Sequence, residues 1–176
     1  MQNNTRKHIL VTGANGFVGK ELIKILAGFY HVTACIRTLS SQEDIKNFLI
    51  KNNINFENNL QFLFVTDNNI EHDVQDVLSS VDAVVHCAAR SHILKEESSN
   101  PEQEFNKSNN LLTQSLIRAA VNAKVKRFIY ISSINVNGNN SYTSPFDEHS
   151  IPKPISLYAQ SKLRAEEQVK KYSSLI

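Results

Sequence analysis

Three groups of residues in this 176-residue chain have the types and spacing to do chemistry. Tyr158-Ala159-Gln160-Ser161-Lys162 sets a phenol and an ammonium four residues apart, which on a helix is one face. Ser132-Ser133 ends an apolar run, and in a parallel sheet the carboxyl ends of strands face the ligand crevice. A lysine cation beside Tyr158 favours the phenolate, so Tyr158 can take or give a hydroxyl proton while the Ser133 hydroxyl holds the substrate oxygen. This is the proton half of an alcohol to ketone conversion, and its hydride half needs a nicotinamide. A Tyr-Lys pair alone occurs often by chance, and its meaning depends on the third group.

That group is Val11-Thr12-Gly13-Ala14-Asn15-Gly16-Phe17-Val18-Gly19, where glycines fall at 13, 16 and 19 between a strand and a helix. Gly13 permits a tight turn, Gly16 lets the backbone approach a pyrophosphate, Gly19 allows close helix packing, and the helix N-terminus offers N–H groups to the anion. Asn15, Phe17 and Val18 complete a candidate dinucleotide loop. At the end of the second strand, where an acid commonly holds ribose hydroxyls, stand Arg37, Thr38 and Ser40-Ser41. These residues match a 2'-phosphate better than ribose hydroxyls, which favours NADPH over NADH, but Arg37 reads equally as a solvent-facing arginine at a strand end, so both NAD and NADP stay open. Asp67, with Asn68, is positioned either for an adenine amino group or for an ordinary turn.

The elements that must hold these residues alternate. Strand patterns over residues 8–12, 31–36, 60–65, 82–87 and 126–132 are separated by helical patterns over 17–26, 41–51, 74–78 and 101–121, and a last helical pattern covers 157–175. Strands with continuous apolar centres and long connections predict a doubly wound parallel α/β sheet covered on both faces. The loop 135–155 is long enough to act as a lid or binding segment.

Composition excludes several classes. Nineteen Lys and Arg against 17 Asp and Glu give a net charge of +2, and the short basic runs sit at element ends, so no nucleic-acid partner is expected. Cys35 and Cys87 lie in apolar runs without ligand-spaced companions, which supports neither a disulfide framework nor a metal site. The first residues lack the pattern of a secretory signal, and no apolar run reaches the length of a bilayer span, so no membrane insertion and a cytoplasmic location are expected.

On these motifs the chain resembles the extended short-chain dehydrogenase/reductase family, in particular its nucleotide-sugar epimerases, dehydratases and 4-ketoreductases. The family's TGxxGxxG stands as Thr12 to Gly19, its fourth-strand end as His86-Cys87-Ala88-Ala89, its YxxxK as Tyr158 and Lys162, and its serine as Ser133. The resemblance implies a Rossmann-type fold with NAD or NADP along Cys87, Ala88, Ala89 and Arg90, adenine at Asp67-Asn68, and Asn106 supporting the active-site lysine. Where relatives commonly read N-x-x-G-T, Asn106-Lys107-Ser108-Asn109-Asn110 stands here. It also implies a UDP-sugar substrate of the N-acetylated or 6-deoxyhexose kind in polysaccharide precursor synthesis, and a homodimer through helices 101–121 and 157–175. His92 is either a sugar-facing residue or a loop histidine. Residues 1–176 are expected to be one NAD(P)-binding domain, the N-terminal portion of a longer family pattern whose later strands and nucleotide-sugar lobe are not in view, with weak or no turnover by itself. The alternative is a non-catalytic NAD(P)-binding sensor or scaffold module.

Overall fold

In the first and fourth strands, alternate side chains serve opposite faces of one sheet, which is why their sequences read as unbroken apolar runs. Leu10 and Val84 enter one core with Val74, Leu78, Leu116 and Ala120. Val11 and Val85 enter the other with Ile23, Ala34, Ile45 and Leu49. The computed structural model describes residues 6–66, 69–91, 98–141 and 144–176. Within them, β1 (His8–Thr12), α1 (Phe17–Leu26), β2 (His31–Ile36), α2 (Leu39–Lys51), β3 (Leu60–Phe64), α3 (Ile70–Leu78) and β4 (Ala83–His86) follow one another. After them come α4 (Pro101–Phe105), a π-helical turn (Asn106–Leu111), α5 (Leu112–Asn122), β5 (Arg127–Tyr130), a 3-10 turn (Ile134–Val136) and α6 (Leu157–Tyr172).

All four strand pairings are parallel, and the order is β3-β2-β1-β4-β5. The order reverses between β1 and β4, whose register pairs Thr12 with His86, so the crevice for a ligand opens beyond those two residues. This is the expected doubly wound, Rossmann-type sheet.

Local chemistry sets the helix starts. The Thr38 hydroxyl accepts from the Ser41 N–H at 3.2 Å and begins α2 two residues before the apolar pattern suggested. Ser156 caps α6 by accepting from the Ala159 N–H at 3.1 Å, and Asn100 caps α4 ahead of Pro101. The helix read over 101–121 is interrupted: the π-helical turn takes up one extra residue per turn, which periodicity averaged over the whole stretch conceals.

Candidate functional site

A cleft of about 720 Å³ opens at the carboxyl ends of the strands and gathers residues that are far apart in the chain. Gly13, Asn15, Gly16, Phe17, Val18 and Gly19 line it from the first turn, Arg37 from the end of β2, Cys87, Ala88, Ala89 and Arg90 from beyond β4, and Tyr158 and Lys162 from α6. The three glycines have different physical reasons. Gly13 has φ +65, and a Cβ there would lie 2.5 Å from the Ala88 nitrogen. A Cβ on Gly19 would lie 2.9 Å from the Ala14 Cα, where α1 crosses the turn. At Gly16 a Cβ would meet only the Gly13 carbonyl oxygen, at 3.2 Å. Gly13 and Gly19 are therefore demanded by the fold, whereas Gly16 leaves the cleft floor clear. Gly16 is also the N-cap of α1 and provides no side chain to its first N–H groups. Open floor and N–H groups together fit a pyrophosphate.

Lys162 is 2% exposed, with its Nζ donating to the Ile131 carbonyl at 2.7 Å and lying 4.1 Å from the centroid of the Tyr130 ring. Burial pushes this ammonium down to about 8, against smaller opposing pulls from Cys87 and Glu166. Burial pushes the Cys87 thiol up, with Lys162 offsetting part of the effect, so Cys87 is a thiol wall of the cleft rather than a nucleophile. Tyr158 is half-buried one turn before Lys162, its ring edge-on to Phe105 at 6.3 Å, and Phe105 lies 5.6 Å under the Arg90 guanidinium.

Two expected residues stand away from the cleft lining. Ser133 is half-buried and its hydroxyl accepts from the Asn135 N–H at 3.3 Å, while Ile131 and Ser132 form the cleft wall. The Ser132 hydroxyl donates to Glu166 at 2.5 Å. Asn106 accepts from Asn110 at 2.9 Å on the π-helical turn, and the hydrogen bond found at the Lys162 ammonium runs to Ile131. The buried asparagine is Asn109 instead. Its Oδ1 accepts from the Arg90 N–H at 2.7 Å, and its Nδ2 donates to the Arg90 carbonyl at 3.2 Å and the Ser161 hydroxyl at 2.8 Å. Asn109 thus ties the segment after β4 to α6. The signal for it was present in Asn109-Asn110-Leu111-Leu112-Thr113, which meets N-x-x-G-T with only the glycine replaced. Asp67, Asn68 and His92 lie outside the described residues.

Sequence reasoning also missed what His86 does. It is fully buried, and burial drives its imidazole down to about 3, so it is neutral. Thr113 spends its hydroxyl proton on the Asn109 carbonyl at 2.6 Å, so it must accept from His86 Nε2–H at 2.9 Å. That fixes the tautomer: Nδ1 accepts from the Thr12 hydroxyl at 2.5 Å, and Thr12 Oγ1 accepts from the Ala88 N–H at 3.4 Å. The chain of bonds locks the ends of β1 and β4 to α5 beneath the cleft.

The comparisons with known proteins agree with this geometry. The chain is 35% identical over 164 residues to a UDP-glucose 4-epimerase of Vibrio cholerae, covering 93% of this chain and 46% of that protein. It is 30% identical to the dTDP-D-glucose 4,6-dehydratase of Homo sapiens, covering 94% of this chain and 47% of the relative. Among solved structures, a Bacillus cereus UDP-glucuronic acid 4-epimerase in complex with UDP-glucuronic acid and NAD superposes with a TM-score of 0.77 at 29% identity, over 95% of this chain and 52% of that one. A UDP-N-acetylglucosamine 4-epimerase of Methanobrevibacter ruminantium M1 gives a TM-score of 0.79 at 27% identity, over 97% of this chain and 51% of that one. The chain spans about half the length of the curated relatives it matches. With residues 9–175 matching it as a family, and with its glycine turn and Tyr-Lys pair facing one cleft, the chain belongs to the NAD dependent epimerase/dehydratase family.

Proposed function

We propose that this chain is the cofactor-binding and proton-transfer part of an NAD(P)-dependent oxidoreductase acting at C4 of a UDP-N-acetylhexosamine or its 6-deoxy derivative, in polysaccharide precursor synthesis. The observation that carries the reading is that Tyr158 and Lys162 line the same cleft as the glycine turn. The nicotinamide, when bound, supplies the hydride exchange. In this reading Gly16 and the first turn of α1 receive the pyrophosphate, and Arg90 with Ala88 and Ala89 borders the nicotinamide half. Tyr158 takes the proton from the sugar hydroxyl during oxidation and returns it on reduction. Lys162 sets its charge in a water-poor position anchored by Ile131, and stabilises the phenolate that Tyr158 becomes. Ser133 serves as the hydrogen-bond partner of the substrate oxygen, once the Asn135 contact yields to it. The proposal includes a homodimer through the helical stretch 101–121 and α6, for which Leu111 and Leu157, 45% and 37% exposed, offer apolar contact.

The test is Tyr158→Phe in a form that carries the substrate-binding region together with residues 1–176. Turnover of a UDP-sugar should fall by about 10²- to 10⁴-fold while dinucleotide binding is retained. Turnover at the wild-type level would overturn the proton role. Dinucleotide binding without any turnover in the unmutated protein would leave a sensor module instead.

A further inference from the structure

We propose that Glu166 is a positioning residue of the proton-transfer site: by holding Ser132 against α6 it sets where the neighbouring Ser133 hydroxyl meets the substrate oxygen. The inference rests on the oxidoreductase reading above and adds to it a residue that does not itself line the cleft. Tyr158, Lys162 and Glu166 follow one another at intervals of four along α6, so they form one stripe on that helix. The first two line the cleft, and the third meets the segment that leaves β5.

That segment needs an anchor. The register of β4 with β5 ends at His86 and Tyr130, and one further bond, from the Ile131 N–H to the His86 carbonyl at 3.1 Å, carries the pairing past it. The hydrogen bonds found at Ser133 are local: its hydroxyl accepts from the Asn135 N–H at 3.3 Å and its carbonyl from the Val136 N–H at 3.1 Å. Bonds within one turn fix its shape but not its place relative to α6. Two bonds from α6 do that, on consecutive residues. Lys162 Nζ donates to the Ile131 carbonyl at 2.7 Å, and the Ser132 hydroxyl donates to Glu166 Oε1 at 2.5 Å. The Glu166 side chain is 23% exposed, and its other oxygen lies 3.8 Å from the Nζ of Lys170, a side chain that is 73% exposed. The Ser132 contact is therefore the sheltered one, and a hydrogen bond to a charged acceptor is of the stronger kind. Glu166 also decides which of the two serines serves the substrate. A serine has one O–H donor, and Ser132 spends its own on the carboxylate, whereas Ser133, which accepts from Asn135, keeps its proton for a substrate oxygen.

The experiment compares Ser132→Ala, Glu166→Gln, Glu166→Leu, the double variant Ser132→Ala/Glu166→Leu and Lys170→Ala with wild type, in the form carrying the substrate-binding region, with thermal melting to confirm that each is folded. Ser132→Ala and Glu166→Leu should each lower kcat for a UDP-sugar about tenfold, with KM and dinucleotide affinity within about threefold of wild type, because the groups that bind are kept and only the alignment of the Ser133 donor is lost. Removing both partners should cost no more than removing one, since they act through a single bond. Glu166→Gln retains an oxygen that can accept from Ser132 and should recover kcat to within about threefold, and Lys170→Ala should match wild type. If Glu166→Leu does not fold, Ser132→Ala, which removes a single hydroxyl, carries the same test against Glu166→Gln. Wild-type kcat in folded Ser132→Ala or Glu166→Leu, additive losses in the double variant, no recovery in Glu166→Gln, or a loss of dinucleotide affinity as large as that of kcat would overturn the proposal, while an impaired Tyr158→Phe in the same assay keeps the proton-transfer reading. No turnover by the unmutated protein, or full turnover by Tyr158→Phe, would overturn that reading itself.

Discussion

Lys162 is a charged side chain that the fold buries among polar backbone and aromatic surface, and its titration reports the cost. Its ordinary value of 10.5 falls to about 8 in the folded chain, chiefly through loss of water around the ammonium. Below about 8 both states are protonated and the folded chain bears the whole penalty. Between 8 and 10.5 the unfolded chain still holds a proton that the folded chain has released, so folding stability rises with pH through that window. Replacing Lys162 by Met removes the titration. The stability of the wild type relative to Lys162→Met should therefore climb by about 2–3 kcal/mol from the lower to the upper limit of the window, measured by urea unfolding at a series of pH values. A difference that stays flat would show that Lys162 is not held as described. An ammonium kept from water acts on a neighbouring charge far more strongly than an exposed one does.

At the scale of elements, the interruption between α4 and α5 decides which asparagine faces inward. A continuous α-helix through this stretch would keep one periodicity from Pro101 onward. The π-helical turn over Asn106–Leu111 changes the phase, leaving Asn106 bonded along its own helix and turning Asn109 into the seam between Arg90 and Ser161. Truncating the two should therefore have unequal effects. Asn109→Ala leaves the Arg90 N–H and carbonyl and the Ser161 hydroxyl without their buried partner and should cost about 2–3 kcal/mol in chemical unfolding. Asn106→Ala breaks one contact with a neighbouring side chain and should stay within about 1 kcal/mol of wild type. Similar losses for both would contradict the assignment of the clamp to Asn109. The segment after β4 carries Arg90, so loosening it should also weaken dinucleotide binding in Asn109→Ala.

At the scale of the molecule, the sheet is held at its switch point by His86, which links β1, β4 and α5 through Thr12 and Thr113. Its imidazole, ordinarily 6.5, is driven to about 3 by burial, with the Lys162 charge adding to the effect. As pH falls from 6.5 towards 3, the unfolded chain gains a proton that the folded chain refuses, so stability is lost on acidification across that interval. Each pH unit should remove about 1.4 kcal/mol on account of this residue. In His86→Gln the decline of unfolding free energy over the same interval should be shallower by up to that amount, whatever its stability at neutral pH. Parallel declines would mean that the histidine is not excluded from water. The sheet of the described residues has β5 at one edge, paired only with β4, and Ile129 and Ile131 there are 41% and 36% exposed.

The sequence by itself determined the parts whose information is local. Unbroken apolar runs specify strands buried on both faces, glycines at 13, 16 and 19 specify a turn that closes on itself, and Tyr158 and Lys162 share a face because a helix turns every 3.6 residues. Tertiary structure decided what depends on meetings between distant segments. Whether Gly13 is fixed by the fold was settled by the Ala88 backbone, 75 residues away, and whether Asn106 or Asn109 faces inward was settled by a change of helical phase that composition does not encode. The role of His86 was invisible in its own strand because a histidine's state follows from what surrounds it. Only when β1, β4 and α5 close around the ring do water and the proton leave, and hydrogen-bond geometry then assigns the tautomer.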